Sequence, residues 1–87
     1  MNFSLRLMRR PAVSHATGDG RSTHYKKVAE GLCTPPVQIG ERAVGWPEHE
    51  IYAINAARIA GKSNDEIREL VKKLVAARKF IAERGLP

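Results

Sequence analysis

Short apolar bursts, punctuated by glycine and proline, fill the first two thirds of this chain, and a long regular apolar stripe fills the last third. Phe3, Leu5 and Leu7 alternate with Ser4 and Arg6, a period of two that predicts a short edge strand with one buried face. Pro11 then stands where a first helical turn tolerates it, and residues 12–16 make a short helix stopped at Thr17-Gly18. Asp19 is placed to cap a second helix, which runs from about residue 20 to residue 30. Gly31 ends it, because glycine takes the left-handed conformation after a helix without steric cost. Two short helices across a glycine turn form a helix-turn-helix.

Pro35-Pro36 forbids helix and launches an extended run in which Val37 and Ile39 share one face. Gly40-Glu41-Arg42 supplies a turn, and Ala43-Val44-Gly45-Trp46 returns as the partner strand, a small wing with Arg42 near its tip. Pro47 opens a third helix whose first turn carries Glu48 and Glu50, charges that suit the positive end of the helix dipole. Its inward face is read as Ile51, Ile54 or Ala57, and Arg58, with Ile59 beside them and Gly61 as the stop. Ser63-Asn64-Asp65-Glu66 is a capping box, so a fourth helix begins there. Ile67, Leu70, Leu74, Ala77 and Ile81 then recur at spacings of three and four, with Val71 and Val75 widening the stripe before Gly85 and Pro87 close the chain. A helix of about 20 residues reaches roughly 30 Å, long for so small a body. It either packs back across the domain or pairs with a second copy. The pattern divides into residues 1–60, a winged helix-turn-helix, and residues 61–87, a C-terminal amphipathic helix for packing or dimerisation.

With 87 residues the chain forms one small domain and leaves little room for a buried catalytic cleft. Its 15 Lys and Arg against 9 Asp and Glu give a net charge of +6, which draws it toward polyanions such as nucleic acid. The excess is steepest up to Trp46, where Arg6, Arg9, Arg10, Arg21, Lys26, Lys27 and Arg42 outnumber Asp19, Glu30 and Glu41, making the first half the expected contact face. Cys33 is the one cysteine, so no internal disulfide exists and a reducing compartment is the default. The opening stretch has too short an apolar run for an export signal, and no run approaches a membrane span. The expected localisation is cytoplasmic, with no membrane partner.

Several motifs together resemble one family. Thr17-Gly18, Arg21-Ser22-Thr23 followed by Tyr25, Glu30-Gly31, Pro36-Val37 with Ile39-Gly40, and above all Arg42-Ala43-Val44-Gly45-Trp46 followed by Glu50-Ile51 and Ala56-Ala57-Arg58 resemble the AlpA-type prophage regulatory proteins over roughly residues 5–60. The resemblance implies a MerR-like winged helix-turn-helix that binds DNA and regulates transcription, in some members affecting prophage integration or excision. It also implies a bacterial protein, at the nucleoid when bound to DNA, with no enzymatic activity and no cofactor. The sequence departs from the family in three places. Asp19-Gly20 stands where the family usually has Leu-Ser, His24 and Lys27 occupy apolar positions, and Cys33-Thr34 replaces an aromatic-Pro pair. These departures leave Val28 as the expected core anchor of the second helix.

On this reading the first turn of the second helix faces base edges. Arg21 is the first choice for base reading, because a guanidinium bonds both acceptors of guanine, while Ser22 and Thr23 serve bases or phosphate. Tyr25, Lys26 and Lys27 hold the backbone, Arg42 places the wing on phosphate or in the minor groove, and Arg9 and Arg10 add flanking charge. Each has a plainer reading: a solvated helix face for Arg21, Lys26 and Lys27, edge packing for Tyr25, core packing for Trp46 and an idle turn charge for Arg42. His15, His24, His49 and Cys33 lack the paired spacing of zinc ligands, Cys33 with His24 lacks an orienting acid, and Gly18-Asp19-Gly20 lacks the later glycine and lysine of a phosphate loop. No metal, cofactor or small-molecule substrate is therefore expected. Two functions remain: a sequence-specific regulator acting on double-stranded DNA as a homodimer or as adjacent copies, or a protein-interaction module whose C-terminal helix binds a partner while DNA reading is weakened or lost.

Overall fold

The computed structural model describes residues 5–83, with side chains from 5 to 81. Phe3 and Ser4 of the expected strand, and the closing Gly85 and Pro87, lie outside the described residues. The elements run β1 (Leu7–Met8), α1 (Arg10–Thr17), α2 (Arg21–Ala29), β2 (Val37–Gln38), β3 (Val44–Pro47), α3 (Glu48–Ile59) and α4 (Asn64–Glu83). The three strands form one antiparallel sheet in the order β1-β3-β2, with Met8 opposite Trp46 and Gln38 opposite Val44. This is a winged helix-turn-helix with an added C-terminal helix: α1 and α2 make the helix-turn-helix and the β2–β3 hairpin the wing.

Trp46 organises the core. It is fully buried among Val13 of α1, Leu32 and Cys33 of the α2–β2 loop, Ile51 and Ile54 of α3, and Ile67 and Val71 of α4. Its indole N–H donates to the Thr34 carbonyl at 2.9 Å, so burying the ring leaves no polar atom unpaired. At Gly45, just before it, a Cβ would stand 3.2 Å from the Met8 carbonyl, tight enough that β1 would have to shift to admit a side chain. At Gly18 the backbone is left-handed, φ +80°, and turns the chain sharply from α1 into α2.

Four expectations from the sequence need correction. Leu5 and Leu7 are 43% and 47% exposed, bordering an open groove with Val37, Pro47 and Ile81, while Met8 packs inward; the register with β3 points Met8, and not its neighbours, at the core. Asp19 does not cap α2: Gly20 is the N-cap, and the Asp19 carboxylate goes to the Lys27 ammonium, a charge-assisted partner stronger than a neutral amide. The anchor of α2 is His24, 1% exposed, with Val28 only partly buried beside it. Ile59 is 87% exposed, since a helix that turns Ile51 and Ile54 inward carries it about 80° past Ile51 and away from them.

The capping box forms as read: the Glu66 amide donates to Ser63 Oγ at 3.2 Å and the Ser63 amide to Glu66 Oε1 at 3.0 Å. These bonds also hold the Glu66 carboxyl below its ordinary range. From there α4 packs back across the body. Ile67 and Val71 enter the core, Leu70, Leu74 and Val75 pack partly against it, Ala77 stays exposed, and Ile81 lines the groove beside Leu5 and Leu7.

Candidate nucleic-acid interface

The orientation of α2 follows from His24. Its ring meets Trp46 edge-on with centroids 4.6 Å apart, and Tyr25 leans on the same pair, 5.3 Å from His24 and 6.2 Å from Trp46. Turning His24 and Val28 inward carries Ser22 and Lys26 to the opposite side of a helix with 3.6 residues per turn. Arg21, Ser22, Thr23, Tyr25 and Lys26 are all exposed. No side chain caps α2 and no acid stands in its first turn, which leaves its leading amides and the positive end of its dipole for an external acceptor. The plainer reading of Tyr25 is half right, since its ring packs at the edge of the core while 41% of the residue remains exposed.

α2 meets the strand β3 through Trp46, and the tip of the β2–β3 wing is braced. Gln38 Nε2 donates to the carbonyls of Gly40 and Glu41 at 2.8 and 3.2 Å, and the Ile39 amide donates to the Ala43 carbonyl at 2.9 Å. Arg42 is exposed at that tip, with no acidic partner among the described residues. Arg9 is exposed just ahead of α1, whereas Arg10 is half-buried and donates to Ser14 Oγ at 3.1 Å. Lys27 is also engaged, its ammonium 3.0 and 2.8 Å from the two Asp19 oxygens. The structure thus brings Arg21, Ser22, Thr23, Tyr25 and Lys26 to one outward surface, and gives Lys27 and Arg10 partners within the fold.

Burial lowers the pKa of His24 from its ordinary value, with Arg10 and Lys27 adding to the effect and Asp19 opposing it, so the ring is neutral at neutral pH. Burial raises that of Cys33, which favours the thiol over the thiolate. Among the described residues no three of His, Cys, Asp and Glu gather closely enough to hold a metal ion, and no helix is long and apolar enough to cross a membrane.

Residues 6–55 match the family described as Prophage CP4-57 regulatory protein (AlpA). The chain belongs to the AlpA family of prophage regulatory proteins. It is also 40% identical over 57 residues to the uncharacterized protein ORF88 of Enterobacteria phage P4, an alignment that covers 66% of this chain and 65% of that protein. No solved structure matches the chain. The AlpA match runs from β1 through most of α3, taking in the helix-turn-helix and the wing, and stops short of α4.

Three contacts that hold this AlpA-family surface in place were missed from the sequence. Arg78 of α4 grips the fully buried Glu50 through two bonds, Nε to Oε2 at 2.8 Å and Nη2 to Oε1 at 2.6 Å, and donates to the Pro35 carbonyl at 2.8 Å. Arg68 Nε donates to the Glu30 carbonyl at 2.9 Å, closing the C-terminal end of α2. Asn55 Nδ2 donates to the Ala16 carbonyl at 3.0 Å, tying α3 to the end of α1. A polar residue among apolar helix positions was the available signal in each case, but it names no partner.

Proposed function

We propose that this AlpA-family protein is a sequence-specific DNA-binding regulator of transcription, of prophage or mobile-element origin, which lays the first turn of α2 in the major groove and its wing on the flanking backbone. The supporting observation is the outward turn of α2, where Arg21, Ser22 and Thr23 are exposed together at an uncapped helix N-terminus, in a fold that also presents a wing with a braced tip. Arg21 reads guanine through both of its acceptors, and Ser22 and Thr23 bond bases or phosphate. Lys26, Tyr25, Arg42 and Arg9 hold the backbone and give affinity that falls with salt. The resemblance to AlpA-type regulators, MerR-like proteins some of which affect prophage excision, extends the proposal to an effect on excision.

Residues 1–60 carry the DNA contact in this proposal, and residues 61–87 supply the helix that packs or pairs. Ile67 already belongs to the core, so pairing of two copies would draw on Leu70, Leu74, Ala77 and Ile81 together with Phe80, which is exposed on α4. The part of that face left exposed, Ala77 and Phe80, also supports the second reading, a module that binds a protein partner through α4.

Binding to a pool of random duplex DNA across a salt series, with sequencing of what is retained, tests the proposal. Enrichment of one short motif with affinity falling steeply as salt rises is the expected result. Retention without a motif, or no retention, would leave the α4 partner reading in its place.

A further inference from the structure

We infer that Asp19 and Lys27 are positioning residues for the recognition turn, a strap that sets where Arg21 points, and that Lys27 keeps this role when DNA is bound. The inference rests on the DNA-reading proposal and concerns which lysine of α2 touches phosphate. Lys26 and Lys27 are neighbours with different surroundings. Lys26 is exposed without an acidic partner among the described residues, while the Lys27 ammonium makes two hydrogen bonds to the Asp19 carboxylate, with both side chains mostly withdrawn from solvent.

The pair is the last link of a continuous chain of bonds. Thr17 Oγ1 donates to the carbonyl of the fully buried Val13 at 2.9 Å and accepts the Asp19 amide at 3.3 Å, and the Asp19 carboxylate then accepts Lys27. The core of α1 is thereby connected through the turn to the second turn of α2. Gly18 and Gly20 lie within that turn, and a Cβ at either would meet nothing within 4 Å, so packing does not restrain the turn there. No side chain caps α2 either. His24 seats the body of α2 on the core, and the strap is the side-chain link that holds the turn from which Arg21 projects. It also masks a carboxylate two residues before Arg21; if Lys27 swung out to phosphate, Asp19 would be left bare at the surface that approaches a polyanion.

The test uses the duplex selected by the wild-type protein, a random duplex of equal length, and a salt series. The variants are Lys27→Met, Lys27→Glu, Asp19→Lys with Lys27→Glu, and Lys26→Met, each checked for folding by circular dichroism. Lys27→Met is expected to lower the selected-to-random affinity ratio about tenfold, within the range of coupling between contacting residues, with the salt slope unchanged. Lys27→Glu loses more, and the charge-swapped double variant, which rebuilds the pair, recovers the ratio to within about threefold of wild type. Lys26→Met is expected to weaken both duplexes alike and reduce the slope by about 0.9. A Lys27→Met protein that loses affinity equally for both duplexes, with its slope reduced by about 0.9, would make Lys27 a phosphate contact and overturn the inference. So would a charge-swapped protein no better than Lys27→Glu. Failure of the wild-type protein to select any motif removes the DNA-reading proposal and this inference with it, and is seen before any variant is made.

Discussion

Replacing Arg78 by Met tests how α4 is held to the body. The substitution keeps an unbranched apolar stem and removes the guanidinium, leaving Glu50 with no counter-charge in a site that is 0% exposed. Removing one partner of a buried ion pair costs about 3–5 kcal/mol, because the stranded charge keeps its desolvation penalty. An 87-residue domain has about 4–13 kcal/mol of stability in total, so the loss is a large share of it. At about 4 °C or more per kcal/mol for a domain of this size, Tm should fall by at least about 12 °C. Thermal and urea unfolding followed by circular dichroism supply the numbers. Glu50→Met with Arg78→Met should recover most of the loss, since an apolar pair of similar volume replaces a buried ion pair at little cost. An Arg78→Met protein within about 1 kcal/mol of wild type, or a double variant no more stable than the single one, would refute the claim that this pair clamps α4 to α3 and to the loop before the wing.

Other substitutions separate packing from recognition. Arg21→Ala should reduce discrimination at one base pair by about 1–3 kcal/mol while leaving Tm unchanged, read by binding to duplexes altered one position at a time. Trp46→Ala should cost about 3–5 kcal/mol and leave little folded protein at 37 °C, seen as loss of cooperative melting. Ser63→Ala should destabilise by about 1 kcal/mol through loss of the α4 cap, measured by urea denaturation. Because burial holds His24 below its ordinary pKa of 6.5, the unfolded chain takes up that proton first; stability is full above about pH 6.5 and declines as pH falls toward the folded-state value. His24→Leu should flatten that decline and, by removing Nε2, a buried atom with no partner among the described residues, raise stability by about 1–3 kcal/mol at pH 7. A urea midpoint for His24→Leu that still drops in parallel with wild type from pH 6.5 to 5 would place the titrating group elsewhere.

Local chemistry made much of this fold legible in advance. The glycine stop after α1, the Pro35-Pro36 break, the wing and the Ser63 to Glu66 capping box each depend on residues within a few positions of one another, where backbone sterics and short-range hydrogen bonds act without help from the rest of the chain. The family motif was legible for the same reason, as a fixed order of residue types along the chain. The exposed turn at Arg21, Ser22 and Thr23 could be placed from its position at a helix start alone.

What periodicity could not decide was the use of each polar side chain. His24 reads as a polar interruption on α2, yet Trp46, twenty-two positions later, gives it an aromatic edge to pack against. Lys27 looks the same as Lys26 along the chain, and only the fold of the Gly18 turn brings Asp19 within 3 Å of it. Glu50 suits a helix N-terminus by its position, but its burial depends on an arginine 28 residues away, and Asn55 finds its acceptor across 39. The sequence by itself determined where helices and turns begin and end and which motif they carry, because those energies are local. The tertiary structure alone decided which charges are spent inside the fold and which face outward, because desolvation and ion pairing depend on whatever the packed chain brings within a few ångströms.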